Sequence, residues 1–278
     1  MIKLIAFDLD GTLLDEQKNI SERTKDVLAE AVRRNIFIVP VTGRPYRAIP
    51  KVVMEIPGIR YVAAVSGASI MDVEADREIY SDLIPNDLAC ELLEGLDRAG
   101  FLPMAIFEGG GYVSRANFQR AVDMAADENG REYIRRHRMV VDDLAETVRE
   151  RGIGLEKFTV NLPYDDKGDL IGVEEALAFL EPYADRLHMV YGGKINLEVT
   201  GKNADKGHAL DFLGQRLGIK KEEMIAFGDS GNDLDMKDHV GIFAAVANAT
   251  PEIRAAADYV TSSNDESGVA EAIVRLAF

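Results

Sequence analysis

Asp8-Leu9-Asp10-Gly11-Thr12 places two carboxylates and a hydroxyl within five residues, directly after a short apolar run. Side chains two apart at a strand end point the same way, so Asp8 and Asp10 can face one site. Gly11 permits a sharp turn there. Paired carboxylates in such a place suit a metal ion, or an acid–base pair whose pKa values are pushed apart. A second group, Gly228-Asp229-Ser230-Gly231-Asn232-Asp233, again follows an apolar run. Oxygen-rich, sulfur-free ligands select hard cations, and one or two carboxylates with waters and a substrate oxygen fit Mg2+. A calcium loop counted from Asp229 would need glutamate where Val240 stands, so that pattern fails.

Two further segments could meet a phosphate. Thr42-Gly43-Arg44-Pro45 offers a hydroxyl, a glycine N–H and a following helix N-terminus. Taken alone it is equally a plain turn. Lys206-Gly207 opens a helix, and its ammonium would hold the two acidic groups together and screen an incoming phosphate. An isolated lysine in such a place is otherwise a solvated one.

The elements that would position these groups are legible from apolar patterning. Residues 3–8, 36–41 and 61–65 read as buried strands, with a helix capped by Ser21 between the first two. The rhythm returns with a helix at 205–217, strands at 224–228, 240–245 and 259–261, and a closing helix at 266–276. Alternating strands and helices imply right-handed βαβ units in an α/β fold with a doubly wound parallel sheet. Ligands of such sheets bind beyond the carboxyl ends of the strands. Between these halves the texture becomes that of an inserted α+β domain. It has helices near 87–98 and 172–180, β-like runs at 103–107, 157–162 and 188–191, and a hairpin turn around Gly109-Gly110-Gly111. The expected organisation is a discontinuous core, 1–82 with 194–278, and an insertion at 83–193.

Composition narrows the partners. The 278 residues carry a formal charge of −16, a field that repels nucleic acid and anionic membrane surfaces. A phosphorylated substrate is also an anion, so its site must bring its own positive charge. Cys90 is the only cysteine, which rules out an internal disulfide and a CxxC pair. No run approaches the ~18 apolar residues of a membrane span, and Asp8 interrupts the apolar start that a signal peptide needs. A cytoplasmic enzyme is expected, with no feature setting its oligomeric state. Arg131, Arg135, Arg136, His137 and Arg138 form a basic patch, read either as a solvated helix face or as a grip for a second anionic group. The four histidines show no metal-ligand spacing.

The order DxDGT, TGR, KG and GDSxND, in this spacing, resembles the haloacid dehalogenase superfamily of aspartate-nucleophile phosphatases. The large insertion between the second and third motifs resembles the cap of its Cof-type branch, as do Ala245-Val246-Ala247-Asn248-Ala249 and Ser267-Gly268-Val269-Ala270. The resemblance implies a Rossmann-like core and a cap that selects the substrate. It also implies Asp8 as nucleophile and Mg2+ ligand, and Asp10 as general acid and base with its carbonyl on the metal. Asp229 would be the other carboxylate on Mg2+, with Thr12 and Asp233 supporting the ligands. Leu9, Thr42, Gly43, Lys206 and Asn232 would contact phosphate, and Arg44 is a candidate substrate contact. The chain departs from the branch at Ser66-Gly67-Ala68, where Asn-Gly-Ala is common. The implied substrate is a sugar phosphate or similar small phosphorylated metabolite. A phosphomutase shares the first aspartate and stands as the alternative, ahead of a non-catalytic phospholigand-binding regulator.

Overall fold

The N-terminal apolar run forms the strand Leu4–Phe7 with every residue buried. In the computed structural model of the chain, residues 1–125, 128–163, 165, 170–191 and 196–278 are described. Two compact units emerge, Met1–Ser81 with Asp205–Phe278, and Asp82–Ala204.

The first unit is built on a five-stranded sheet. Its order is Tyr259–Val260, Ile242–Ala245, Met224–Gly228, Leu4–Phe7, Phe37–Pro40, and every pair is parallel. The central strands are apolar throughout because both sheet faces are covered. Phe7 pairs with Phe227 on one side and Pro40 on the other. Asp8, Asp229 and Thr42 therefore leave their strands at the same carboxyl edge, where open α/β sheets bind ligands.

The third expected strand behaves differently. Tyr61–Ala64 touches the parallel sheet through a single bridge, Val41 to Ala63. It otherwise begins a separate antiparallel sheet with Ser69–Asp72 and Arg77–Ser81, which apolar patterning did not announce. Val65 and Ser66 explain the reversal, both having positive φ, 51° and 56°. A β-branched residue in that region is an outlier. The turn is pinned by Val65 N–H to the Arg44 carbonyl and Ser66 N–H to the Thr42 carbonyl.

The second unit carries a six-stranded sheet ordered Leu187–Tyr191, Asn196–Gly201, Lys157–Asn161, Leu102–Phe107, Gly110–Ser114, Arg138–Val141. Only the last pair is parallel, joined by a crossover through helices Arg115–Asp123 and Glu128–His137. Alternation along Leu102–Phe107 sorts its side chains onto two faces. Ala105 and Phe107 join helices Asn86–Arg98, Leu144–Arg151 and Val173–Leu180, whereas Leu102 and Met104 join Ala121, Val122 and Ile134. The expected boundary at residue 193 lies outside the described residues. The unit runs on to Ala204 because Asn196–Gly201 pairs on both sides within this sheet.

Local chemistry sets the first helix. Ser21 is extended (φ −62°, ψ 150°) and its Oγ accepts the Thr24 N–H at 3.1 Å, capping Glu22–Arg33. Ser21→Ala removes that acceptor and should cost about 1 kcal/mol, lowering Tm by about 2–4 °C. An unchanged melting curve would show that the cap contributes nothing.

Candidate active site

Lys206 is the centre of the site. It opens the helix Lys206–Leu217, whose N-cap Asp205 accepts the His208 N–H at 2.8 Å. Its ammonium is wholly buried and donates to Asp8 Oδ1 and Asp233 Oδ1, each at 2.6 Å. Asp8 sits at the tip of Leu4–Phe7, its N–H donating to the Phe227 carbonyl at 3.0 Å. Asp233 lies in the 3-10 segment Gly231–His239, and its Oδ2 accepts the N–H groups of Asp229 and Ser230 at 2.8 and 3.0 Å. Asp229 in turn accepts the Thr12 hydroxyl on Oδ1 at 2.7 Å.

This network commits some carboxylate oxygens and leaves others open. Both oxygens of Asp233 already accept hydrogen bonds. Among the described residues, Asp8 Oδ2 and Asp229 Oδ2 accept none. Gly11 lets Asp229 come this close, because a Cβ there would stand 2.7 Å from Oδ2, and its φ of +85° also favours glycine.

The charge balance is that of a site short of cations. Burial pushes the Asp8 carboxyl up to about 7; Lys206 opposes the rise, while Asp233 and Asp229 add to it. Burial and then Asp233 lift Asp229 to about 6, against the Thr12 bond and Lys206. Burial would lower Lys206, but Asp233 and Asp8 outweigh it and hold the ammonium charged. Oxygens of Asp8, Asp229 and Asp233 lie within 4.8 Å of one another. A hard divalent cation fits that donor set, with Asp8 and Asp229 supplying the uncommitted oxygens.

Asp10 faces different partners. Arg44 grips its carboxylate in a fork, Nε to Oδ2 at 2.5 Å and Nη2 to Oδ1 at 2.8 Å, and Lys18 Nζ adds a contact at 2.8 Å. Burial would raise the Asp10 pKa, yet the Arg44 and Lys18 contacts bring it down to about 2. Arg44, expected as a substrate contact, is thus an Asp10 contact here. Lys18 was not expected, and nothing near it in sequence points to the site.

The remaining expected residues spread along the same edge. Thr42 is buried and its hydroxyl accepts the Arg44 N–H at 3.2 Å, so Thr42-Gly43-Arg44 is a tight turn at the end of Phe37–Pro40. Leu9 is a core side chain whose carbonyl accepts from Leu13 and Leu14, so only its N–H could serve a phosphate. Asn232 accepts the Ser230 hydroxyl at 3.1 Å. Asn248 donates to the Gly11 carbonyl at 2.8 Å, tying the distant Ala-Asn loop to the first motif. Ser66 brings a buried hydroxyl with no hydrogen-bond partner among the described residues.

Residues 5–273 match the haloacid dehalogenase-like hydrolase family. The chain belongs to that family. Among relatives, this hydrolase is 30% identical to "Phosphatase YwpJ" of Bacillus subtilis, over 99% of its own length and 100% of the relative's. It is 27% identical to the "HMP-PP phosphatase" of Serratia proteamaculans, over 91% of its length and 87% of the other. A solved haloacid dehalogenase-like hydrolase from B. subtilis superposes with a TM-score of 0.81 at 28% identity, covering 99% of this chain and 100% of that one. Among the described residues no helix is long and apolar enough to cross a membrane.

The basic patch of the hydrolase resolves into a self-paired helix. Arg131 and Arg135 both reach Glu128, at 3.1 and 2.8 Å, and Arg136 reaches Glu132 at 2.5 Å. His137 packs against the Tyr133 ring with centroids 4.8 Å apart. These exposed arginines pair with two glutamates of their own helix, which favours the solvated-face reading. Arg138, at the start of a strand, is set apart from them.

The raised carboxyls of Asp8 and Asp229 give the site a sign that can be measured. A carboxyl whose pKa is raised by folding stabilises the fold while protonated, and that contribution fades as pH climbs through the folded value. With chelator present, the contribution of these two groups should therefore be full below about pH 4 and shrink steadily as pH rises to about 6 for Asp229 and about 7 for Asp8. A divalent cation competes with those protons. The rise in Tm on adding Mg2+ should be larger at pH 8 than at pH 5. An equal rise at both would mean that the ion binds elsewhere.

Proposed function

We propose that the chain is a Mg2+-dependent phosphomonoesterase that hydrolyses small phosphorylated metabolites, sugar phosphates among them, in the cytoplasm through an aspartyl-phosphate on Asp8. The observation that carries this reading is the position of Asp8. One oxygen is fixed by buried Lys206, and the other is left open next to the open oxygen of Asp229. Family membership and relatives named as phosphatases support it.

A cation held by Asp8, Asp229 and the Asp10 carbonyl would supply Lewis-acid charge for a phosphate oxygen. The protein's own groups do the rest. Lys206 and the Asp233 anchor orient the Asp8 carboxylate, so that one of its oxygens can attack phosphorus while the ester P–O bond breaks. Backbone N–H groups near Leu9 and Gly43, with Thr42 and Asn232, are the candidates to hold the phosphate oxygens. The departing alkoxide takes a proton from Asp10, and Asp10 later removes one from the water that attacks the aspartyl-phosphate. Held by Arg44 and Lys18, Asp10 is a carboxylate, so acting as an acid requires it to leave that fork. A phosphate anion competing for Arg44 would release it. The inserted unit serves as the cap that selects the substrate.

The test is phosphate release from a panel of phosphorylated metabolites, with Mg2+ and with chelator. Asp8→Asn should lose ~10^3-fold or more in kcat. Asp10→Asn should lose about 10^2- to 10^4-fold and accumulate phosphate on Asp8, detectable by borohydride trapping and peptide mapping. Turnover that ignores chelation, or that survives Asp8→Asn with deamidation excluded, overturns the assignment. Isomerised product in place of free phosphate would show a mutase.

A further inference from the structure

The loop that follows Ile242–Ala245 touches both acidic turns of the site. Asn248 Nδ2 donates to the Gly11 carbonyl at 2.8 Å, in the turn between Asp10 and Thr12. From the same loop, the Thr250 N–H donates to the Asp229 carbonyl at 2.9 Å. One short segment thus holds the chain beside Asp8 and Asp10 and also the chain at Asp229.

That segment is itself fixed. Arg254, on helix Pro251–Ala256, donates to the Ala247 carbonyl at 3.1 Å and to the Ala249 carbonyl, on either side of Asn248. Ala249 is buried in the core of the first unit, and the Val246 N–H donates to the Gly228 carbonyl at 3.4 Å. Both ends of the Asn248 amide are engaged, because Oδ1 accepts the Asn264 N–H at 3.0 Å. Asn264 extends the link, its Nδ2 donating to the Leu14 carbonyl at 2.8 Å. Asn248 is exposed, and surface side chains contribute little to stability, so these bonds point to geometry rather than to folding energy.

The bond to Gly11 bears directly on the carboxylates. Gly11 lies against Asp229, where even a Cβ would stand 2.7 Å from Oδ2, and the neighbouring Thr12 hydroxyl reaches Asp229 Oδ1 at 2.7 Å. A shift of the Gly11 peptide therefore moves the first acidic turn against Asp229. Groups behind the ligands set how well those ligands converge on a metal, and their loss weakens binding.

We infer that Asn248 is a positioning residue: by holding the Gly11 carbonyl it sets the first acidic turn against Asp229, and with it the affinity for Mg2+. The inference rests on the Mg2+ reading of the site given above. Asn248 acts through Gly11 and is not itself a ligand.

The test is calorimetric titration of the metal-free, full-length protein with Mg2+ at pH 8, where protons compete least. Asn248→Leu keeps the branching and size of the side chain but can neither donate nor accept. Its Mg2+ affinity should fall about fivefold or more, while its melting curve in chelator moves little. Ser21→Ala, which weakens a helix cap instead, should lower Tm without changing Mg2+ affinity. If Asn248→Leu does not fold, Asn248→Ala decides. Native Mg2+ affinity in the folded Asn248 variant overturns the inference, as does an equal loss in Ser21→Ala. If the native protein itself takes up no Mg2+, the metal reading fails and this inference falls with it. Native uptake with an unchanged variant sinks the inference alone.

Discussion

A single buried ammonium between two carboxylates organises the catalytic unit. Lys206 has no exposed surface, and stranding such a charge without partners would cost several kcal/mol. Asp8 and Asp233 remove that penalty, and in doing so they fix the chain on both sides. Asp8 belongs to the first strand, Lys206 to a helix nearly 200 residues later (198 apart), and Asp233 to the segment after the fourth-motif strand. The helix that carries Lys206 and the segment that carries Asp233 also pack on one another. Removing any one of the three would leave the others buried and unbalanced.

The same cluster is a donor set that a hard divalent cation fits. One lysine stands beside three neighbouring carboxylates, and burial, with the repulsion of the neighbouring carboxylates added to it, raises Asp8 and Asp229. Thr12 and the Asp229 and Ser230 N–H groups satisfy the oxygens facing away from the shared space. Asp10, two residues from Asp8, is drawn instead to Arg44 and Lys18 and titrates in the opposite direction. Two carboxylates with one intervening residue thus acquire opposite pKa shifts from their surroundings alone.

The second unit depends on a different balance. Its mostly antiparallel sheet buries apolar side chains on both faces, with helices Asn86–Arg98, Leu144–Arg151 and Val173–Leu180 on one and the two crossover helices on the other.

The sequence by itself determined the strands of the parallel sheet, their apolar character and the two acidic groups that follow them. Local patterning is enough for that: a strand buried on both faces must be apolar throughout, and Asp-Leu-Asp-Gly-Thr can only sit where such a strand ends. It also determined Ser21 as a cap, since capping needs contacts only three residues away. What the tertiary structure alone decided depends on residues that meet across long separations. Lys18 on Asp10, Arg44 turned to Asp10, and Asn248 on the Gly11 carbonyl have no local signature. Nor did the reversal at Val65-Ser66, because its left-handed backbone is enforced by hydrogen bonds to Thr42 and Arg44 against the residues' own preference. The extent of the inserted unit was hidden for the same reason. A strand such as Asn196–Gly201 belongs to whichever sheet offers it two neighbours, and only the folded sheet shows which one does.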